Sequence, residues 1–108
     1  MHPRYLGDSY DIVKQSLLRW LAPLGAWSVH PMYAEAPTSQ DVDAFERFLD
    51  VRAVSHEVVG PESDRHAYFE PARTCRTHLL LDPDTGVASG RVPRRRAPAY
   101  LLCAELEA

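Results

Sequence analysis

Two carboxylates, Asp82 and Asp84, stand one residue apart in the run HLLLDPDTG (His78–Gly86). Groups this close repel when ionised, and three arrangements relieve the repulsion. A divalent metal such as Mg²⁺ can bridge oxygen ligands, which would make Asp82 and Asp84 metal-binding. One carboxyl can hold a proton and act as acid or base, which would make them catalytic. Both can also simply bond to nearby backbone N–H groups, because Asp-Pro-Asp-Thr-Gly is good turn chemistry. The residue pattern leaves all three open.

Other groups could share such a site. Asp8, Asp11 and Lys14 open a helical run, and a helix N-terminus favours anions and pre-positions polar side chains. N-capping explains the two Asp by itself, and Lys14 can pair with Asp11 three residues earlier. His30 follows an apolar stretch and is the most site-like of five histidines, though contact with backbone serves such a residue equally well. Arg91 and Arg94, Arg95 and Arg96 form the sole basic cluster. Arg94–Arg96 could hold phosphate or lie solvated on a loop. No His-x-x-x-His or Cys-x-x-Cys spacing supports zinc. Ser55-His56-Glu57 is no triad, because neighbours on a strand point to opposite faces.

The elements that must position these groups are those of a small α/β protein. The 108 residues, 45% apolar and 25% charged, fit one soluble domain with a modest core. A net charge of −3 gives no global attraction to nucleic acid or an anionic membrane. No apolar run approaches the ~20 residues of a membrane span, and no signal-peptide core opens the chain. Cys75 and Cys103 make no disulfide framework. A cytoplasmic protein with reduced thiols is expected.

Residues 8–22 read as a helix with Asp8 at the N-cap and Tyr10, Val13, Leu17 and Leu21 as its core stripe, ended by Pro23 and Gly25. Ala26–Met32 reads as a strand and Asp41–Leu49 as a helix with Val42, Phe45, Phe48 and Leu49 on one face and Asp41 as an early cap. Val51–Val59 favours a strand, Tyr68–Phe69 a short edge piece, and Pro71–Cys75 a turn or helix. Leu79–Leu81 runs apolar without alternation, as in a strand buried on both faces, ending in the acidic turn where Gly86 permits a positive φ. Gly86–Ala97 reads as a loop and Tyr100–Glu107 as a helix. This order predicts a small, mostly parallel sheet in two or three layers, an incomplete Rossmann-like unit spanning 1–108 as a single domain. A last helix with no strand after it suggests a chain truncated at its C-terminus.

Gly7–Leu21 (GDSYDIVKQSLLRWL), His78–Val87 (HLLLDPDTGV) and Arg95–Leu101 (RRAPAYL) together resemble an uncharacterised bacterial family with a GDSYDxxK helix and an LDPDTG strand end. That resemblance covers most of the chain, implies no known activity, and implies relatives that continue further. The chain is also faintly similar to Rossmann-like adenine-N6 methyltransferases, which begin with an Asp-x-x-Lys helix and carry a DPP-type turn. Asp11 and Lys14 match the first feature and Asp82-Pro83 half of the second. HPMYAEA, after the first strand, lacks the glycine-rich turn that would approach S-adenosylmethionine. The acidic pair also resembles the first motif of haloacid-dehalogenase-type phosphatases, but Thr85 directly follows Asp84 and Gly86 stands where that family has Thr or Val.

Two functions are compatible with these residues. One is a fragment of an α/β enzyme acting on a phosphate-containing or nucleic-acid substrate through Asp82 and Asp84. The other is a non-catalytic truncated remnant or protein-interaction module whose exposed apolar surface favours self-association.

Overall fold

A computed structural model describes residues 1–106 and contains two parallel sheets with helices packed against them. The first helix, α1 (Ser9–Leu21), starts at Asp8, whose side chain accepts the Asp11 N–H, and runs into a 3-10 turn at Ala22–Leu24. Strand β1 (Trp27–His30) follows, then α2 (Ser39–Leu49), β2 (Arg52–Ala53), two short helices α3 (Arg65–Tyr68) and α4 (Glu70–Thr74), and β3 (His78–Leu81). The chain then forms β4 (Gly86–Ala88), a 3-10 turn at Arg94–Ala99, β5 (Tyr100–Leu102) and α5 (Cys103–Leu106). The α/β class and the mostly parallel sheet are those the sequence predicts.

The main sheet has the order β2-β1-β3, all parallel. Central β1 buries Val29 on one face against Leu18 of α1 and Val42, Phe45 and Leu49 of α2. Period-2 alternation sends the next residue, His30, to the opposite face, where it stacks on Tyr68 and Phe69 at 4.9 and 5.3 Å. A second core of Met32, Val59, Tyr68, Phe69 and Leu101 lies on that side. The helix α2 buries its expected face, but its cap is Thr38 rather than Asp41. Asp41 is the third helical residue and reaches back to the Thr38 N–H, closing a reciprocal capping box.

Several elements differ from the sequence reading. Tyr10, Val13 and Leu17 are exposed, and α1 faces the sheet with Asp11 and Leu18 instead. The strand expected over Val51–Val59 forms a ladder with β1 at Arg52–Ala53. The chain then bends and pairs again only through a single parallel bridge between Val58 and Tyr33, where the Val59 N–H donates to the Tyr33 carbonyl at 3.1 Å. Tyr68 and Phe69 end α3 and open α4 rather than forming an edge piece. Strand β3 is half-buried, because among the described residues it pairs with β1 alone. The segment read as a loop contains β4, which pairs with β5 over Tyr100–Leu102, the first part of the expected helix, while Cys103–Leu106 is helical as expected. Leucines at 101 and 102 suit either conformation, and β4 supplies the partner that selects the strand; Glu107 of the expected helix lies outside the described residues.

Candidate functional site

A cleft of about 400 Å³ opens where the N-terminus of α1 meets the turn after β3. Its walls include Asp8, Asp11, Lys14, Asp82 and Asp84, together with His2, Tyr5, Tyr10 and Thr85. Strand pairing sets the depth of Asp82. Its N–H donates to the His30 carbonyl at 3.0 Å, continuing the ladder one residue past β3. The side chain therefore emerges toward α1 and is 4% exposed. Pro83 then turns the chain outward, leaving Asp84 on the rim, and Gly86 closes the turn at φ +140°, a backbone region that costs glycine little.

Lys14, the one lysine of the chain, lies between two buried carboxylates. Its ammonium is 2.6 Å from Asp82 Oδ1 and 3.0 Å from Asp11 Oδ1. Asp11 Oδ2 accepts the Gly7 N–H at 2.9 Å, so the start of the helix fixes the carboxylate that fixes the lysine. Asp8 serves as the cap, its Oδ1 accepting the Asp11 N–H at 2.9 Å. Asp84 faces other groups, with the Met1 amine and His2 Nε2 each 3.5 Å from it.

Burial pushes the Asp82 carboxyl above the usual aspartate range, against the pull of Lys14. Burial likewise works against the charge of Lys14, but Asp82 and Asp11 together outweigh it and raise that group. Both shifts favour keeping a proton in the cleft. Asp82 Oδ2 is buried and has no hydrogen-bond partner among the described residues. An unsatisfied buried acceptor costs roughly 1–3 kcal/mol, so a donor brought to that oxygen binds favourably.

Four of the candidate positions thus meet at one place with Asp82: Asp8, Asp11, Lys14 and Asp84. His30 does not. Its ring is fully buried on the far face of β1, with Nε2 3.4 Å from the Tyr68 carbonyl, and burial lowers its pKa below the usual histidine value. Arg94 pairs with Glu62 on the surface, and none of Arg94, Arg95 or Arg96 lines the cleft. The fit to a metal is poor: Asp82 pairs with Lys14 and Asp84 with the Met1 amine, and among the described residues no group of three or more His, Cys, Asp or Glu could hold one.

Sequence reasoning missed His2, Tyr5 and Tyr10 as lining residues. The first two precede the helix and carry no motif, and Tyr10 matched a core stripe. It also missed Arg65. That guanidinium binds the Glu105 carboxylate and the carbonyls of Ala97 and Tyr100, the last at 2.8 Å. Arg65 thereby ties down the segment whose Ala99 carbonyl accepts the Thr85 N–H of the acidic turn at 2.7 Å.

No known protein family, curated protein or solved structure matches the chain significantly.

Proposed function

We propose that the cleft is the acid–base site of an α/β enzyme whose substrate presents an N–H or O–H group to Asp82. The observation that carries this reading is the buried, unpartnered Asp82 Oδ2 beside the Lys14 ammonium. A carboxylate held this way can accept a hydrogen bond or proton from a substrate. On proton transfer Asp82 becomes neutral and the negative charge passes to the substrate, where the adjacent Lys14 ammonium can stabilise it. Ligands of open α/β sheets bind at the carboxyl ends of strands, which is where this cleft lies. The parallel β2-β1-β3 order is in keeping with part of a Rossmann-like unit.

The charge of the walls narrows the substrate. Four carboxylates repel phosphate, so a phosphate-containing or nucleic-acid substrate must offer its amino- or hydroxyl-bearing end to Asp82 and leave its phosphate outside. The exocyclic amine of a nucleobase has the right chemistry, in line with the faint similarity to adenine-N6 methyltransferases. Cys75 and Cys103 form no disulfide, which suits a reducing cytoplasm.

The test is an NMR titration of the full chain with adenosine, adenosine monophosphate, inorganic phosphate and Mg²⁺. Adenosine and its monophosphate should shift the amides of Tyr10, Asp82 and Thr85, and Asp82→Asn should weaken both by about tenfold, one lost charge-assisted hydrogen bond. Phosphate alone should leave those amides in place. A cleft that ignores the nucleosides, or one that binds Mg²⁺ through Asp82, overturns the proposal.

A further inference from the structure

The best apolar stripe of α1 points away from the protein. Tyr10, Val13, Leu17 and Trp20 recur at intervals of three and four residues, and Leu24 extends the row onto the following 3-10 turn. Their exposures are 76, 65, 42, 77 and 68%. The face of α1 that meets the rest of the fold is much more polar. It uses Leu18, the Asp11–Lys14 pair, and Gln15, whose side chain donates to the Phe48 carbonyl at 2.7 Å.

We infer that this stripe is a self-association surface, on which α1 of one copy packs antiparallel against α1 of a second copy. Three observations select that occupant. The alternating three-four spacing makes the narrow seam characteristic of one helix packing on another, rather than the wider face of a helix on a sheet. The stripe is also self-complementary about a two-fold axis through Leu17. Antiparallel pairing sets Tyr10 against the second copy's Leu24 and Val13 against its Trp20, so an aromatic ring meets an aliphatic side chain on either side of a central Leu17–Leu17 contact, and the helix dipoles oppose. Finally, the five residues are each 42–77% exposed and form one apolar row, the kind of surface that marks a protein–protein contact.

Pairing would also reach the cleft. Tyr10 both ends the stripe and lines the cleft, so Leu24 of the second copy would sit at its rim. The inference does not depend on the acid–base reading, and Leu17 and Trp20 are not among the cleft residues.

Light scattering coupled to size exclusion, with the full chain at roughly 100 μM, is expected to give twice the 12.2 kDa of the chain. Leu17→Glu and Trp20→Glu should halve that mass with an unchanged circular dichroism spectrum, since both side chains are exposed. In a Cys75→Ser/Cys103→Ser background, Leu17→Cys should form a disulfide-linked dimer on mild oxidation, and Ile12→Cys, off the stripe, should not. A monomeric wild type, a dimer indifferent to both Glu variants, or equal cross-linking at positions 12 and 17 overturns the inference. The first outcome would assign the stripe to a different polypeptide.

Discussion

Lys14 Nζ stands 2.6 Å from Asp82 Oδ1, joining the second turn of α1 to the end of β3. The contact unites two segments distant in sequence and sets both the shape and the charge of the cleft. Removing one partner leaves a buried charge without compensation. Lys14→Met is therefore expected to destabilise the protein by about 2 kcal/mol, less than the ~3–5 kcal/mol of a fully buried pair because the Lys14 side chain is 26% exposed. Lys14→Met combined with Asp82→Leu should recover most of that loss, since an apolar pair needs no compensating charge. Urea denaturation of the two single variants and the double variant checks this, and additive losses would refute it.

The raised pKa of Asp82 fixes a sign for stability against pH. A carboxyl whose folded pKa lies above its unfolded value of 3.8 contributes stability that is fully present below that value and lost as pH rises through the folded pKa. Asp82→Asn should remove this contribution, so the variant gains on the wild type as pH rises above 3.8, apart from the lost pairing with Lys14. Lys14 is raised too, so its contribution is present below 10.5 and lost as pH rises through its folded pKa. Lys14→Met should accordingly flatten the alkaline limb of the stability profile. Denaturation midpoints across the acid and alkaline limbs test the two groups separately. An unchanged acid limb in Asp82→Asn would mean that burial does not govern this carboxyl.

How much of this was legible depended on how local each cause is. Asp41 to Leu49 carries its own apolar face, so α2 could be read without the rest of the chain, although its cap, Thr38, lies three residues before Asp41, the cap expected from the sequence. The run Leu79–Leu81 with Gly86 marked a strand and a turn for the same reason. The apolar row Tyr10–Val13–Leu17 was equally visible, but a pattern states that a face is apolar and not what covers it. The identity of the packed face of α1 rested on Asp11 and Leu18, whose partners lie far along the chain. Val51–Val59 has strand-forming composition, yet its ladder with β1 ends at Ala53 and pairing returns only as the Tyr33–Val58 bridge. The sequence offers Asp8, Asp11 and Lys14 as groups that could share a site with Asp82, beside a capping role that explains the two Asp by itself; no local signal sets the direct Lys14–Asp82 pair.

His30 provides a second pH signal of opposite sign. Burial between Tyr68 and Phe69 lowers its folded pKa below the ordinary 6.5. A group with a depressed folded pKa contributes stability present above the unfolded value and lost as pH falls through the folded one. Wild-type stability should therefore fall with pH below 6.5, while His30→Leu, which cannot protonate, should hold a flatter profile between about pH 5 and 7. Leucine also fills much of the space and leaves no polar atom where Nδ1 now has no partner. Parallel slopes for the two proteins in that window would show that His30 is protonated as readily folded as unfolded.

Arg65 tests whether the acidic turn is held from outside the cleft. Its guanidinium binds Glu105 and the carbonyls of Ala97 and Tyr100, and Glu105 in turn accepts the Leu102 N–H at 2.8 Å. Arg65→Met removes donors from all three acceptors and is expected to cost about 2 kcal/mol. Arg65→Lys should recover little of this, because one ammonium cannot match a planar fork that reaches a carboxylate and two carbonyls together. The loss should spread along one path. Loosening Ala97–Tyr100 frees the Ala99 carbonyl from the Thr85 N–H, so hydrogen exchange should rise at Thr85 and Leu102 in the variant while the β1 amide of Val29 keeps its protection. A uniform rise across the chain would instead mean that Arg65 supports the whole fold and gives the Asp82–Asp84 turn no separate support.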